Sequence, residues 1–307
     1  MITTICLNPA FDKTVTVDEL RLGEVNRILS VREDIGGKGI NVAAVALRLG
    51  LEAKCLGCMG ETGSQRLREK MAEEGIPYEF MTVSGSIRTN LKVVSHKGQA
   101  VTELNEPGCP MAREQLDAFM RLTHEKGAGS CYAVLTGSLP PGCPEETYRE
   151  IILALKDVPC ILDAVGNSLL LGLAAHPLLV KPNLSELEAT LGTSLRTLRS
   201  IRDAAYVLLK KGAQSVIVSM GKMGALFTDG QRTLYSPALG VKALSTVGAG
   251  DAMVGGVLLG LTYGESLAEA FRSGMAAGAA SVMTEGTQPI RMKDYQALLP
   301  KVAVQEV

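Results

Sequence analysis

Ser245-Thr-Val-Gly-Ala-Gly-Asp251 is the stretch with the clearest capacity for chemistry. Gly248, Ala249 and Gly250 run straight into a carboxylate, and an apolar, small-residue helix pattern continues to about Leu261. Glycines let a backbone turn sharply and come close to a ligand. The first turn of a helix adds unpaired N–H groups and the positive end of its dipole, which suits an anion and above all a phosphate. A carboxylate at the mouth of that site can take the proton of a hydroxyl attacking phosphorus. The same residues would also make an ordinary glycine-rich turn with Asp251 as helix cap.

Other segments carry groups of complementary type. Asn183-Leu-Ser-Glu186 sets two oxygen donors three apart at a helix start, on one face. They suit Mg²⁺, which takes one or two protein groups and completes its shell with water and phosphate oxygens. Asn183 as cap with Glu186 at the third helical position is the structural alternative, and the two roles can coexist through water. Gly36-Gly-Lys-Gly opens a helix pattern in which Lys38 and Asn41 share a face. It is no P-loop, because Lys38 is followed by Gly39 instead of Ser or Thr. Gly37 permits close backbone approach to a substrate, although a flexible turn with a solvated lysine has the same pattern. Arg88, Asn90 and Lys92 point to one face if that segment is extended. Arginine suits bidentate phosphate binding and lysine adds charge. Arg27 could join them, and charges on a solvated hairpin are the alternative. Ser219-Met-Gly-Lys-Met-Gly224 lacks the three-glycine spacing of a dinucleotide fingerprint, and strand-like residues follow it.

Composition narrows the classes. The chain has 307 residues, a net charge of −1 and 46% hydrophobic residues. That length fits one α/β domain with an appendage. No basic stripe suggests a nucleic acid, and no apolar run is long enough to cross a bilayer. The first residues lack the pattern of a signal peptide, so a cytoplasmic protein is expected. Seven cysteines lie mostly in apolar segments. Cys6, Cys131 and Cys160 are expected in buried strands, where a thiol packs as a small hydrophobe. Cys55-Leu-Gly-Cys58 has no second Cys or His pair, so a structural role is expected. His96, His124 and His176 are expected at the surface.

The elements that must position these groups alternate. Strands are expected at 2–7, 53–59, 132–135, 160–162, 178–180 and 214–218, with helices between them, as in a doubly wound, mostly parallel sheet with helices on both faces. Asp12, Ser138, Asp163, Lys181, Asn183 and Ser219 all fall just past strand carboxyl ends, where open α/β sheets place ligands. Segments 14–17, 27–32 and 88–104 alternate apolar and polar residues and read as half-exposed strands outside that core.

Asn8-Pro-Ala-Phe-Asp12, Gly36-Gly-Lys-Gly-Ile-Asn41, Lys181-Pro-Asn-Leu-Ser-Glu186, Ser219-Met-Gly-Lys-Met-Gly224 and Val247-Gly-Ala-Gly-Asp251 occur in that order. Together they resemble the ribokinase-like (PfkB) carbohydrate kinases, from Asn8 to about Gly286, and within them the 1-phosphofructokinase and tagatose-6-phosphate kinase branch. The Arg88-x-Asn90-x-Lys92 pattern is that of the 1-phosphofructokinases. The resemblance implies ATP-dependent phosphorylation of fructose 1-phosphate, with Asp251 as base and Gly248, Ala249 and Gly250 as anion hole. It implies that Asp12 binds sugar hydroxyls beside Arg27, Gly37, Lys38, Asn41, Arg88, Asn90, Lys92 and Ser138. It places ATP along Lys181, Asn183, Ser219, Gly221, Gly224 and Gly278, and Mg²⁺ on Asn183 and Glu186. A monovalent cation such as K⁺ could lie near carbonyls of Ser245, Val247 and Gly286. A β lid formed by 13–35 and 78–105 is implied over a core of 1–12, 36–77 and 106–307, with lids pairing to make a homodimer. Tagatose 6-phosphate or fructose 6-phosphate is the alternative substrate, and a non-catalytic sugar-phosphate or nucleotide sensor is the alternative of another class. Asp163-Ala-Val-Gly166 departs from the family's Asp-x-Ser-Gly by loss of the hydroxyl, which weakens any polar role for that loop.

Overall fold

The computed structural model describes residues 1–97, 100–284, 286, 288 and 290–307. The turn expected at His96-Lys97-Gly98 therefore lies partly outside the described residues. The chain opens with β1 (Ile2–Cys6) and passes through β2 (Ala10–Val17) and β3 (Ile28–Gly36). Next come α1 (Lys38–Arg48), β4 (Ala53–Thr62), α2 (Ser64–Glu73), β5 (Tyr78–Ser86), β6 (Arg88–Ser95) and β7 (Ala100–Asn105). Then α3 (Arg113–Gly127), β8 (Tyr132–Thr136), α4 (Thr147–Ala154), β9 (Cys160–Asp163), α5 (Gly166–Gly172) and β10 (Leu179–Val180) alternate. They are followed by α6 (Leu184–Leu191), α7 (Leu198–Lys210), β11 (Val216–Ser219), β12 (Ala225–Thr228) and β13 (Thr233–Ser236). The chain ends with α8 (Ala249–Thr262), α9 (Leu267–Ser281), α10 (Met292–Leu298) and β14 (Gln305–Glu306).

The larger sheet has the order β14-β13-β12-β11-β10-β9-β8-β1-β4-β5. It is parallel from β5 to β11 and antiparallel beyond. Its strands are apolar on both faces. Leu135, Leu162, Val180 and Val218 face one hydrophobic cluster, while their neighbours Val134, Ile161, Leu179 and Ile217 face another. Successive side chains in a strand alternate faces, so a sheet covered by helices on both sides needs such runs. Helix α8 is buried from Asp251 to Leu261, so its polar groups are confined to its ends.

The second sheet has the order β3-β2-β6-β7, with β2 and β6 parallel. It differs from expectation at two places. Tyr78–Ser86, expected in the lid, pairs with β4 as the edge of the larger sheet. Ala10–Asp12, expected in the core, begins β2. Cys131 also departs from expectation: it is exposed, ahead of β8, and its thiol donates to the Met1 carbonyl (3.2 Å). Cys55 and Cys58 are buried with free thiols, and the three histidines are exposed. Among the described residues no helix is long and apolar enough to cross a membrane.

Candidate active site

The site forms at the carboxyl ends of β1, β8, β9, β10 and β11, where the chain leaves each strand for a turn or helix. Gly248 caps α8 with φ of 77°, a backbone region that side chains disfavour. The following turn leaves the first N–H groups of α8 without helical partners. Asp251 lies in this turn, 5% exposed. Its Oδ2 accepts from Asn41 Nδ2 at 2.8 Å, which ties α8 to α1. Burial pushes the Asp251 carboxyl up to about 6, against the pull of Lys38 and the Asn41 hydrogen bond. Such a group is ionised at neutral pH and still basic enough to take a proton.

One turn earlier on α1, Lys38 extends toward three carboxylates. Its Nζ lies 3.3 Å from Asp163 Oδ2 and 3.5 Å from Glu186 Oε1. Burial opposes the Lys38 charge, but Asp163, Glu186 and Asp251 overcome it and raise its pKa. Gly37 makes the entry to α1 possible. It has φ of 120°, and a Cβ there would stand 2.8 Å from Cys6 Sγ.

Asp163 is 1% exposed and ends β9. It accepts from Thr136 Oγ1 (3.1 Å), and its Oδ1 lies 3.5 Å from Lys181 Nζ. Burial opposes its charge, yet Lys181, Lys38 and the Thr136 hydroxyl hold its carboxyl below the usual range. Sequence reasoning left Asp163 out of the site because the hydroxyl after it is missing. The usable signal was its place at a strand carboxyl end.

Asn183 and Glu186 form a reciprocal cap at the start of α6. The Asn183 N–H donates to Glu186 Oε2 and the Glu186 N–H to Asn183 Oδ1, both at 2.8 Å. Glu186 Oε1 remains on the side of Lys38. A bridge between Asn183 and Ser219, and the Ser219 N–H bond to Pro182 (3.1 Å), bring the loop after β11 alongside. There Gly221 begins a single 3₁₀ turn and Gly224 ends it. Gly278 is buried where α9 crosses the start of α8, 3.3 Å from the Ala249 carbonyl at its Cβ position.

The small sheet supplies a second cluster. The register sets Asp12 of β2 opposite Asn90 of β6. Asn90 Nδ2 donates to Asp12 Oδ1 (2.9 Å) and Lys92 Nζ to Asp12 Oδ2 (3.3 Å). Lys92, expected to share a face with Arg88 and Asn90, is 8% exposed and paired with Asp12. Arg88 spends donors on the carbonyls of Asn8 (3.1 and 3.3 Å) and Glu106 (3.1 Å). Asn8 in turn donates to Ser138 Oγ (3.2 Å). Arg27 is the outlier: it is exposed, ahead of β3, and no contact joins it to Arg88 or Lys92.

Two clusters thus converge from separate sheets, one around a basic carboxylate at a helix N-terminus and one around Asp12. Residues 7–293 match the pfkB family carbohydrate kinases. The chain belongs to that family. It is 39% identical over 274 residues to the 1-phosphofructokinase of Rhodobacter capsulatus, covering 88% of this chain and 87% of the relative. It is 34% identical to that of Bacillus subtilis strain 168, covering 99% of each. Phosphofructokinase-2 from Escherichia coli, solved in complex with potassium, superimposes with a TM-score of 0.90 at 31% identity over 98% of each chain. The architecture is therefore the ribokinase-like α/β fold of these kinases, and the protein is a phosphotransferase. Membership implies a nucleotide phosphoryl donor and a divalent metal.

Proposed function

We propose that the protein transfers the γ-phosphoryl group of ATP to the 6-hydroxyl of fructose 1-phosphate. The observation that carries this reading is Asp251, buried, raised to about 6 and tied to Asn41 at the first turn of α8. The substrate assignment is supported by the relatives named 1-phosphofructokinase. In the step, the sugar oxygen bonds to the γ-phosphorus and the bond from that phosphorus to the bridging β,γ oxygen breaks. The hydroxyl proton passes to Asp251, and ADP leaves. The N–H groups of Ala249 and Gly250 face the charge on the transferred group. Lys38 and Lys181 supply positive charge beside it.

Mg²⁺ would be held by Asn183 and Glu186. The fit is a water-mediated one. Each residue already serves the other's backbone N–H, and one Glu186 oxygen remains on the side of Lys38. Such a sparse protein contribution suits a cation that keeps its waters. When bound, it would neutralise phosphate charge. A monovalent cation near the carbonyls of Ser245, Val247 and Gly286 is supported by the potassium complex of the phosphofructokinase-2 neighbour. The phosphate of the sugar is assigned to Arg88, whose remaining N–H groups are not spent on Asn8 or Glu106. Asp12, held by Asn90 and Lys92, takes sugar hydroxyls. Ser219, Gly221, Gly224 and Gly278 border the nucleotide.

The small sheet is read as the lid and as the contact between two copies. Leu22, Val25, Leu29, Val31, Val101 and Leu104 are all more than half exposed there, with Leu22 at 91% and Val25 at 90%. Exposed apolar patches of this kind mark association surfaces. The test of the whole reading is a coupled ADP-release assay across sugars and sugar phosphates. Fructose 1-phosphate should give the highest kcat/KM. A higher value with fructose 6-phosphate or tagatose 6-phosphate would reassign the substrate, and no turnover with any would make the protein a sensor.

A further inference from the structure

Lys181 occupies an unusual place. Its side chain is 4% exposed, and its Nζ lies 3.0 Å from where a Cβ on Gly250 would stand. An ammonium group therefore sits directly beneath the anion hole. Asp163 is its one carboxylate at ion-pair distance among the described residues. Lys38, on the other side, shares Asp163 but also has Glu186. Apart from the two lysines, the carboxylate is held by one hydroxyl, and its Oδ1 is buried with no hydrogen-bond partner among the described residues, 3.5 Å from Lys181 Nζ. Thr136 and Asp163 face each other across β8 and β9, and the Thr136 hydroxyl donates to Oδ2.

We infer that Asp163 is a positioning residue for phosphoryl transfer: it anchors Lys38 and Lys181 on either side of the anion hole, so an arriving phosphate meets two ammonium groups already in place. Glu186 and Asp251 share this cluster, so the two ammonium groups act by where they are held and not by an excess of positive charge. Donors that need not reorganise during the reaction are the ones that lower its barrier. Without Asp163, Lys181 would be a buried cation with no carboxylate at ion-pair distance among the described residues, and would no longer be held beneath the anion hole. The departure of Val165 from the family pattern leaves this function intact, because it uses only the Asp163 carboxylate.

The inference rests on Asp251 being the base, and the test separates the two. Asp163→Asn keeps the volume and removes the charge. We expect kcat to fall about tenfold to a thousandfold, as for loss of preorganised charge, with both KM values within about threefold of wild type. The pH profile supplies a readout that a packing defect would not move. Asp251 is faced by Lys38 and Asn41 from α1, by Asp163 from β9 and by Lys181 after β10. Loss of the Asp163 charge lowers the Asp251 pKa, so the acid limb of kcat/KM should move to lower pH. Thr136→Val is the second variant. It removes the hydroxyl from Oδ2, leaves Lys38 there and keeps every charge, and should lower kcat about threefold to tenfold with the acid limb unmoved. A folded Asp163→Asn enzyme with kcat within about threefold of wild type, or with lost kcat and an unmoved acid limb, overturns the inference. If Asp163→Asn fails to fold, wild-type kcat in Thr136→Val overturns it. Wild-type activity in Asp251→Asn would instead sink the assignment of the base, and the split between kcat and KM then decides for Asp163 alone.

Discussion

Asp251→Asn should make the protein a poorer enzyme and a more stable one. The size of both effects follows from the same carboxylate. Asp251 has an ordinary pKa of 3.8 and is pushed to about 6 in the fold, chiefly by burial. A shift of about 2 pH units at 1.36 kcal/mol each corresponds to about 3 kcal/mol by which the ionised group disfavours the folded state above pH 6. Asparagine removes that charge and can still accept the Asn41 hydrogen bond. Its own amide hydrogens find poorer acceptors, at a cost of about 1–2 kcal/mol. The net gain is about 1–2 kcal/mol, or a rise of roughly 2–5 °C in Tm at pH 8. The sign with pH is definite. A carboxyl whose folded pKa is raised favours the folded state fully below its unfolded value, and that contribution is lost as pH rises through the folded value. The stability advantage of the asparagine variant should therefore be complete above pH 6, shrink as pH falls, and become a deficit of about 1–2 kcal/mol by about pH 4, where only the amide cost remains.

Activity should go the other way. Asparagine cannot take the hydroxyl proton, and general-base catalysis is worth about 10²–10⁴ in rate, so kcat should fall by that order. Affinity for ATP should hold or rise, because a negative charge beside the phosphates is gone. The measurements are kcat, the ATP dissociation constant and Tm at several pH values on the same preparation. A kcat within about threefold of wild type would remove Asp251 from the mechanism. A Tm below wild type at pH 8 would show that burial does not strain the carboxylate as argued.

Three other outcomes are expected. In the wild type, kcat/KM should fall tenfold per pH unit below about 6, because the base must be ionised in the free enzyme; a flat profile down to pH 5 would exclude Asp251 as that base. Arg88→Ala should raise KM for the phosphorylated sugar about tenfold to a hundredfold and leave that for ATP unchanged, since charge-assisted hydrogen bonds are worth roughly 1.5–3 kcal/mol; a selective rise for ATP would place Arg88 on the nucleotide side. Leu22→Asp with Val25→Asp should turn a dimer into monomers in analytical ultracentrifugation with little change in Tm, because both side chains are about nine-tenths exposed; an unchanged mass would move the interface elsewhere.

Much of the site was legible because strand carboxyl ends are readable from apolar runs that stop at polar residues. Asn183 and Lys181 were found that way, Asp251 from the Gly-Ala-Gly run into a helix start, and the reciprocal cap of Asn183 and Glu186 was among the readings of their spacing. The assignment of Tyr78–Ser86 to the lid failed for a physical reason. Alternation of apolar and polar residues reports that a strand is half exposed, not which sheet it joins. β5 lies at the edge of the larger sheet and is half-buried or exposed at every position but Val83, as a lid strand would be. The pairing of Lys92 with Asp12 was not legible for a related reason. Its spacing from Arg88 and Asn90 shows a shared face, but only the parallel pairing of β2 with β6 puts Asp12 there to bury it. Asp163 was missed because its importance is relational. Lys38 lies 125 residues before it, and nothing local to either residue marks the contact. Side chains that act on substrate leave a local trace at a strand or helix end. Those that act by holding other side chains leave one only once the strands are in register, and at this site that second group includes Thr136, Asp163 and Asn90.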